Sequence, residues 1–131
     1  MAKNFWAKLE KPILAMAPMA GITDLPFRAM CKRFGADVLY TEMVSVDGLY
    51  YKSKNTLPLL AMKDEERPIA AQLFGKDPEL FYKAAKVIEE LGFDGVDINF
   101  GCPVKKSYMR RPVKKHKGLI KTVDYCFARD H

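Results

Sequence analysis

Between Ile13 and Phe100 short apolar runs alternate with amphipathic stretches of helical period, and this alternation constrains the fold more than any other feature of the chain. Four runs read as strands: Ile13-Leu14-Ala15-Met16-Ala17, Asp37-Val38-Leu39-Tyr40-Thr41, Pro68-Ile69-Ala70-Ala71-Gln72-Leu73 and Gly95-Val96-Asp97-Ile98-Asn99. Nearly continuous apolarity suits strands covered on both faces, and strands alternating with helices are the mark of βα units around a parallel sheet. The expected architecture is therefore α/β, with about four βα units.

The helical stretches carry their own start and stop signals. Thr23 or Asp24 can cap a first helix, and Pro26 is tolerated in its opening turn. Phe27, Met30, Cys31 and Phe34 then recur at helical spacing as one expected buried stripe, and Gly35 supplies the stop. In the third unit Asp77 caps and Pro78 takes the first helical position. Leu80, Ala84, Val87, Ile88 and Leu91 line one face before Gly92, which predicts a helix from about Pro78 to Leu91. From Met43 to Arg67 the period is weaker; Tyr50, Tyr51, Leu57, Leu59 and Leu60 predict a short helix or two, followed by a polar loop over Lys63 to Arg67.

At 131 residues the chain can bury one modest core and is too short for two ordinary domains. No apolar stretch approaches the roughly 20 residues that span a bilayer, and the charged N-terminus does not read as a signal peptide, so a cytoplasmic protein without membrane contact is expected. Three cysteines, Cys31, Cys102 and Cys126, show no C-x-x-C pair and no histidine cluster, which argues against a disulfide framework and against a metal site. The net charge of +6 is unevenly spread: residues 1–104 carry 13 Lys/Arg and 14 Asp/Glu, whereas residues 105–131 carry 9 and 2. The basic character belongs to the tail, which is either a solvated disordered segment or an attractor of nucleic acid or anionic lipid.

Chemistry is expected at the strand ends. The first strand runs into Pro18-Met19-Ala20-Gly21, the second into Glu42-Met43, the third carries Gln72 before Leu73-Phe74-Gly75, and the fourth presents Asn99 and then Cys102 on a turn framed by Gly101 and Pro103. In parallel βα folds ligands collect at the carboxyl ends of the strands. Gln72 and Asn99 each offer a donor and an acceptor, suited to the polar edge of a flavin or a nucleobase, although a buried carboxamide also serves simply to satisfy backbone groups. Cys31 falls on the expected helical stripe and reads as a packing residue, whereas Cys102 is placed to act on something in a cleft.

Taken in order, Ala17-Pro18-Met19-Ala20-Gly21-Ile22-Thr23-Asp24 with Pro26-Phe27-Arg28, Thr41-Glu42-Met43, Gln72-Leu73-Phe74-Gly75 and Asp97-Ile98-Asn99-Phe100-Gly101-Cys102-Pro103 resemble the N-terminal half of a tRNA-dihydrouridine synthase, over about residues 12–106. The resemblance implies the N-terminal half of an FMN-binding (β/α)8 TIM barrel, residues 1–106, followed by a basic divergent tail at 107–131. It implies reduction of the C5–C6 double bond of uridines in tRNA, with FMN as cofactor and NADPH as electron source. Carried over position by position, Cys102 is the acid that protonates C5, Pro18, Met19 and Ala20 contact FMN, Gln72 bonds its ring edge, and Asn99 lines the flavin or uracil site. A thiol of ordinary pKa, about 8.5, holds its proton at neutral pH, as a general acid must.

A (β/α)8 barrel takes about 250 residues. On the resemblance, the second half would supply the phosphate-binding turns and a tRNA-binding domain, so little activity is expected of this chain alone unless a second chain completes it. The tail after Lys106 departs from the family pattern in the way a reading-frame change would produce. Two other readings follow from the same residues. One is an FMN reductase acting on a free pyrimidine or an enone; the other is a non-catalytic basic RNA-binding half-barrel, paired as a homodimer through its exposed edges.

Overall fold

The computed structural model describes residues 5–100; Cys102 and the tail at 107–131 lie outside the described residues. Three parallel strands, β1 (Leu39–Ser45), β2 (Ile69–Phe74) and β3 (Gly95–Ile98), form a sheet in chain order. Helix α1 (Leu25–Arg33) precedes β1, α2 (Val46–Tyr50) follows it directly, and α3 (Pro78–Glu90) joins β2 to β3. Short 3-10 turns stand at Phe5–Lys8, Leu57–Leu60 and Asp64–Glu66. The fold is a mixed α/β arrangement on a parallel sheet, as the sequence leads one to expect.

The first expected strand is corrected. Residues 13–17 make a single parallel bridge, Ala15 with Val38, supported by the Met16 N–H on the Val38 carbonyl at 2.9 Å. The segment lies beside the sheet without forming a ladder, so the described residues hold three strands and not four. Asp37 explains part of this. Its carboxylate accepts the Leu14 N–H at 2.7 Å, which satisfies with a side chain a donor that a ladder would otherwise use. The second strand is shifted as well: it begins at Leu39 and includes Glu42 and Met43, which the sequence places in a turn.

The two faces of the sheet are covered differently. On one, Val44, Ala71, Leu73 and Ile98 pack with Val46 and Leu49 of α2 and Phe81, Ala84 and Ile88 of α3. Nearby, Leu39 and Ile69 pack under Phe27 and Cys31 of α1. On the other face Val38, Tyr40 and Ala70 are covered by Phe5, Trp6, Leu9 and Ile13. This apolar N-terminal segment fills the lower end of the face, near the strands' amino ends, and Gly95 fits beneath it: a Cβ there would stand 3.4 Å from the Phe5 ring.

Helix α3 forms as its signals dictate. Asp77 accepts the Glu79 N–H at 2.9 Å, Pro78 opens the helix, and Gly92 takes a φ of 83° past its end. Its buried residues are Phe81, Ala84 and Ile88, so Phe81 belongs to the inner face while Leu91 is 46% exposed. Helix α1 is capped by Asp24, whose carboxylate accepts the Phe27 N–H at 3.0 Å, and Gly35 follows it with a φ of 98°.

The expected stripe on α1 is only half right. Phe27 and Cys31 face the sheet, whereas Met30 and Phe34 are 54% and 83% exposed. The inward position is taken by Arg28, 2% exposed, whose guanidinium meets fully buried Glu66 at 2.8 Å. Satisfying that charge rotates the helix so that residues 27, 28 and 31 face inward, and Met30 and Phe34 swing outward.

Candidate active site

The site is built from a disturbance in the β1–β2 ladder. Tyr40 pairs with Ala70, but Met43 pairs with Gln72, so β1 carries one more residue than β2 over the same interval. Such a bulge reverses the alternation of side chains, and Tyr40 and Met43 therefore share a face although they are three residues apart. A bulge also breaks a ladder hydrogen bond, and here a side chain replaces it. Thr41, fully buried, accepts the Gln72 backbone N–H on Oγ1 at 3.1 Å and donates the same hydroxyl to the Glu42 carbonyl at 2.8 Å.

Across the upper part of that face the register brings Met43, Gln72 and Asp97 side by side. Gln72 is 3% exposed and Asp97 4%. Gln72 donates Nε2 to Asp97 Oδ2. Asn99, just beyond β3, is tied to β2 by its N–H on the Leu73 carbonyl at 2.9 Å. Its Nδ2 donates to Met43 Sδ at 2.8 Å and approaches Gln72 Oε1 at 3.4 Å. Gln72 and Asn99, singled out from sequence, are thus brought together.

Pro18, Met19 and Ala20 lie on a tight turn at the same end. The Met19 carbonyl accepts the N–H groups of Ile22 and Thr23 at 3.1 and 3.0 Å, and the Thr23 hydroxyl donates to the same oxygen. Gly21, with a φ of 71°, has no atom within 4 Å of where a Cβ would stand, so the turn needs glycine for its backbone conformation and not for space. Its N–H donates to Glu42 Oε2, which docks the turn against the bulged middle of β1. Met19 and Ala20 are exposed there and Pro18 is half-buried. The structure therefore brings this turn to β1, through Glu42. Cys102 falls outside the described residues, three positions past Asn99 in the chain.

The sequence reading gives no role to two contributors, Asp97 and Thr41, although it does place Met43 at a strand end. Asp97 stood inside a strand that reads as buried, and a charged residue in such a run was the available signal. Burial pushes its carboxyl above the ordinary aspartate range, while the hydrogen bonds from Gln72 and from the Ile98 backbone pull the other way. An acid raised by folding holds its proton more tightly in the folded chain than in the unfolded one. Its contribution to stability is present below the ordinary aspartate pKa and is lost as pH climbs through the raised value. Asp97→Asn is expected to flatten that limb of a plot of Tm against pH, and superimposable slopes for the two chains would assign the limb to another group.

Taken together, the geometry offers a polar, uncharged rim of two carboxamides beside a thioether, above an apolar floor and next to an exposed turn. Among the described residues no group of three or more His, Cys, Asp or Glu side chains gathers to hold a metal ion. Nor, among them, is any helix long and apolar enough to cross a membrane.

Comparison with known proteins gives the site its context. The family described as Dihydrouridine synthase (Dus) matches residues 15–111, a span that contains every part of the site and runs past Lys106. The chain is 43% identical over 93 residues to tRNA-dihydrouridine synthase B of Pseudomonas aeruginosa, a match covering 71% of this chain and 28% of that protein. It is 39% identical over 110 residues to the "Probable tRNA-dihydrouridine synthase" of Rickettsia bellii, covering 81% and 34%. It is 37% identical over 107 residues to the "Probable tRNA-dihydrouridine synthase 2" of Bacillus subtilis, covering 79% and 33%. The chain thus spans about a third of the length of these relatives. A family match over most of the chain, with the turn, the bulged strand and the paired carboxamides all inside it, shows that this protein belongs to the dihydrouridine synthase family.

Proposed function

We propose that the protein takes part in the reduction of uridine to 5,6-dihydrouridine in tRNA, with FMN held at the strand ends and NADPH as the source of electrons. The observation that carries this reading is the juxtaposition of Gln72 on β2 with Asn99 just beyond β3, the Asn99 Nδ2 standing 3.4 Å from Gln72 Oε1. The donor set fits the group. The rim of an isoalloxazine ring alternates N–H and carbonyl functions, and two carboxamides can match both without bringing in a charge. The turn docked on Glu42 exposes Met19 and Ala20 and is small enough at Ala20 and Gly21 for a flat ring to approach its backbone. When bound and reduced by NADPH, FMN would supply the hydride for C6 of the uracil.

The remaining steps belong to the chain. Gln72 and Asn99 orient the ring and the uracil, the apolar floor under Tyr40 and Ala70 keeps water from below, and the Cys102 thiol delivers its proton to C5. Without that proton the charge left on C5 and the adjacent carbonyl would have no acid to quench it. A positioned general acid contributes about 10²- to 10⁴-fold.

The same reading makes the sheet part of a (β/α)8 barrel, with residues 1–106 as barrel and 107–131 as a basic tail that attracts RNA, in a cytoplasmic protein. Within the described residues β3 pairs on one side only. An open edge of this kind invites pairing, either with further barrel strands or with a second copy in a homodimer.

The test is a titration of the purified chain with FMN, following the flavin absorbance bands together with near-UV circular dichroism. Saturable band shifts with fixed aromatic signals are expected. Unshifted bands over a well-packed core would overturn the flavin reading and leave the chain as an RNA-binding module. That alternative is checked with labelled tRNA: charge-driven binding survives Cys102→Ala and weakens steeply with salt, whereas dihydrouridine formation does not survive it.

A further inference from the structure

We propose that Asp97 is a positioning residue that sets the polarity of the Gln72 carboxamide, so that the site presents an acceptor oxygen, and not an amide N–H, to the ring it takes. The inference deepens the flavin reading above and rests on it for the identity of the ring, but not for the orientation of Gln72. A glutamine side chain has two nearly isosteric ends, and in a buried site its neighbours decide which end points where. Gln72 has no freedom on its backbone side, because Thr41 Oγ1 holds its N–H in the bulge at 3.1 Å. Its side chain reaches Asp97 on the adjacent strand, in direct register.

Two N–H groups converge on Asp97, the Gln72 Nε2 and the Ile98 backbone N–H, so its oxygens act as acceptors. A carboxylate can only accept. If Gln72 were turned over, its Oε1 would face Asp97 Oδ2 with two lone pairs opposed inside a site that is nearly dry, and a buried acceptor without a donor is costly. With Asp97 ionised the arrangement therefore has one orientation: Nε2 inward on Asp97, Oε1 toward Asn99. Asn99 Nδ2, at 3.4 Å from Oε1, takes up at most one of that oxygen's two lone pairs and leaves it with accepting capacity. The oxidised isoalloxazine ring has a single N–H, at N3, so an outward acceptor favours ligands with that hydrogen in place.

Gln72 is the sole glutamine of the chain, which makes the test direct. Side-chain 15N labelling of glutamine yields one carboxamide signal, observable with no ligand present. In the wild-type chain the two Nε2 protons are expected to be well separated and slow to exchange. In Asp97→Asn, which preserves shape but can also donate, exchange should quicken about tenfold, with the near-UV circular dichroism unchanged. FMN affinity should fall about tenfold in the same variant. Wild type should discriminate FMN from its N3-methyl derivative, and Asp97→Asn should lose most of that discrimination. A purely space-filling role would be rescued by asparagine, so unchanged exchange together with unchanged FMN affinity would overturn the proposal.

Should Asp97→Asn fail to fold, Gln72→Met settles the point in the native Asp97 background: selectivity for the N3 hydrogen must disappear, and its persistence would refute the assignment. Failure of the wild-type chain to bind FMN would count against the flavin reading alone. The exchange of the Gln72 amide, compared with that in Asp97→Asn, would still decide whether Asp97 holds it.

Discussion

Replacing Arg28 by Met is expected to cost about 3–5 kcal/mol of folding stability, the penalty typical of removing one member of a buried ion pair. Arg28 donates Nε to Glu66 at 2.8 Å, a second nitrogen to the Thr23 carbonyl at 2.9 Å and a third to the Ala61 carbonyl at 2.7 Å. Glu66 is fully buried and spends its other oxygen on the Lys63 N–H at 2.7 Å. Methionine can fill the volume but leaves the buried Glu66 carboxylate and Thr23 carbonyl without their Arg28 donors. Because whole domains are stable by only about 5–15 kcal/mol, the loss is a large share of the total.

The control is the double variant Arg28→Met, Glu66→Leu. It removes both charges and should recover much of the loss, since a well-packed apolar pair in place of a buried ion pair is often neutral. Urea unfolding followed by circular dichroism measures both. A loss below about 1 kcal/mol for Arg28→Met, the range of exposed pairs, would show that water reaches the pair. The consequence extends to the site. Arg28 holds the Thr23 carbonyl, and Thr23 closes the turn that carries Met19 and Ala20, so on the proposed flavin reading FMN affinity should weaken along with stability.

Phe81→Ala comes next, with an expected loss of about 3–5 kcal/mol from removed apolar contact and the cavity left behind. Phe81 is 3% exposed and packs in the cluster of Val44, Val46, Leu73 and Ile88 that fastens α3 to the sheet. Its ring stands 3.6 Å from where a Cβ on Gly75 would be, and Val46 would stand at 2.2 Å. The cavity therefore opens directly beneath the turn that ends the strand bearing Gln72. Leu91→Ala, at a position the helical period alone assigns to the buried face, should change stability by no more than about 0.5 kcal/mol, as usual for an exposed residue. Equal losses at the two positions, measured in the same urea series, would show that α3 is rotated from the orientation described.

The contrast between Phe81 and Leu91 shows where the sequence was readable. Asp77, Pro78 and Gly92 act within one turn of chain, so the start and stop of α3 follow from local chemistry wherever the helix is placed. Which flank of α3 turns inward depends on the sheet beneath it. Phe81 wins because β2 offers Ala71 and Leu73 to pack on, and Leu91 loses because it stands past the end of that surface. On α1 a single charge decided the matter. No local period reveals that Arg28 will meet a carboxylate 38 residues away in a stretch that reads as a polar loop.

The site divides along the same line. The sequence by itself determined the alternation of strands and helices, the caps, the family motifs, and hence that Gln72 and Asn99 belong at strand ends, because these depend on spacing and residue type along the chain. Only the tertiary structure decided the bulge that turns Met43 onto the face of Gln72, the hydroxyl of Thr41 that repairs it, and the carboxylate of Asp97 that fixes the amide. Each of these is a contact between strands. Register between strands is settled by how side chains pack across the sheet, which no stretch of chain encodes alone.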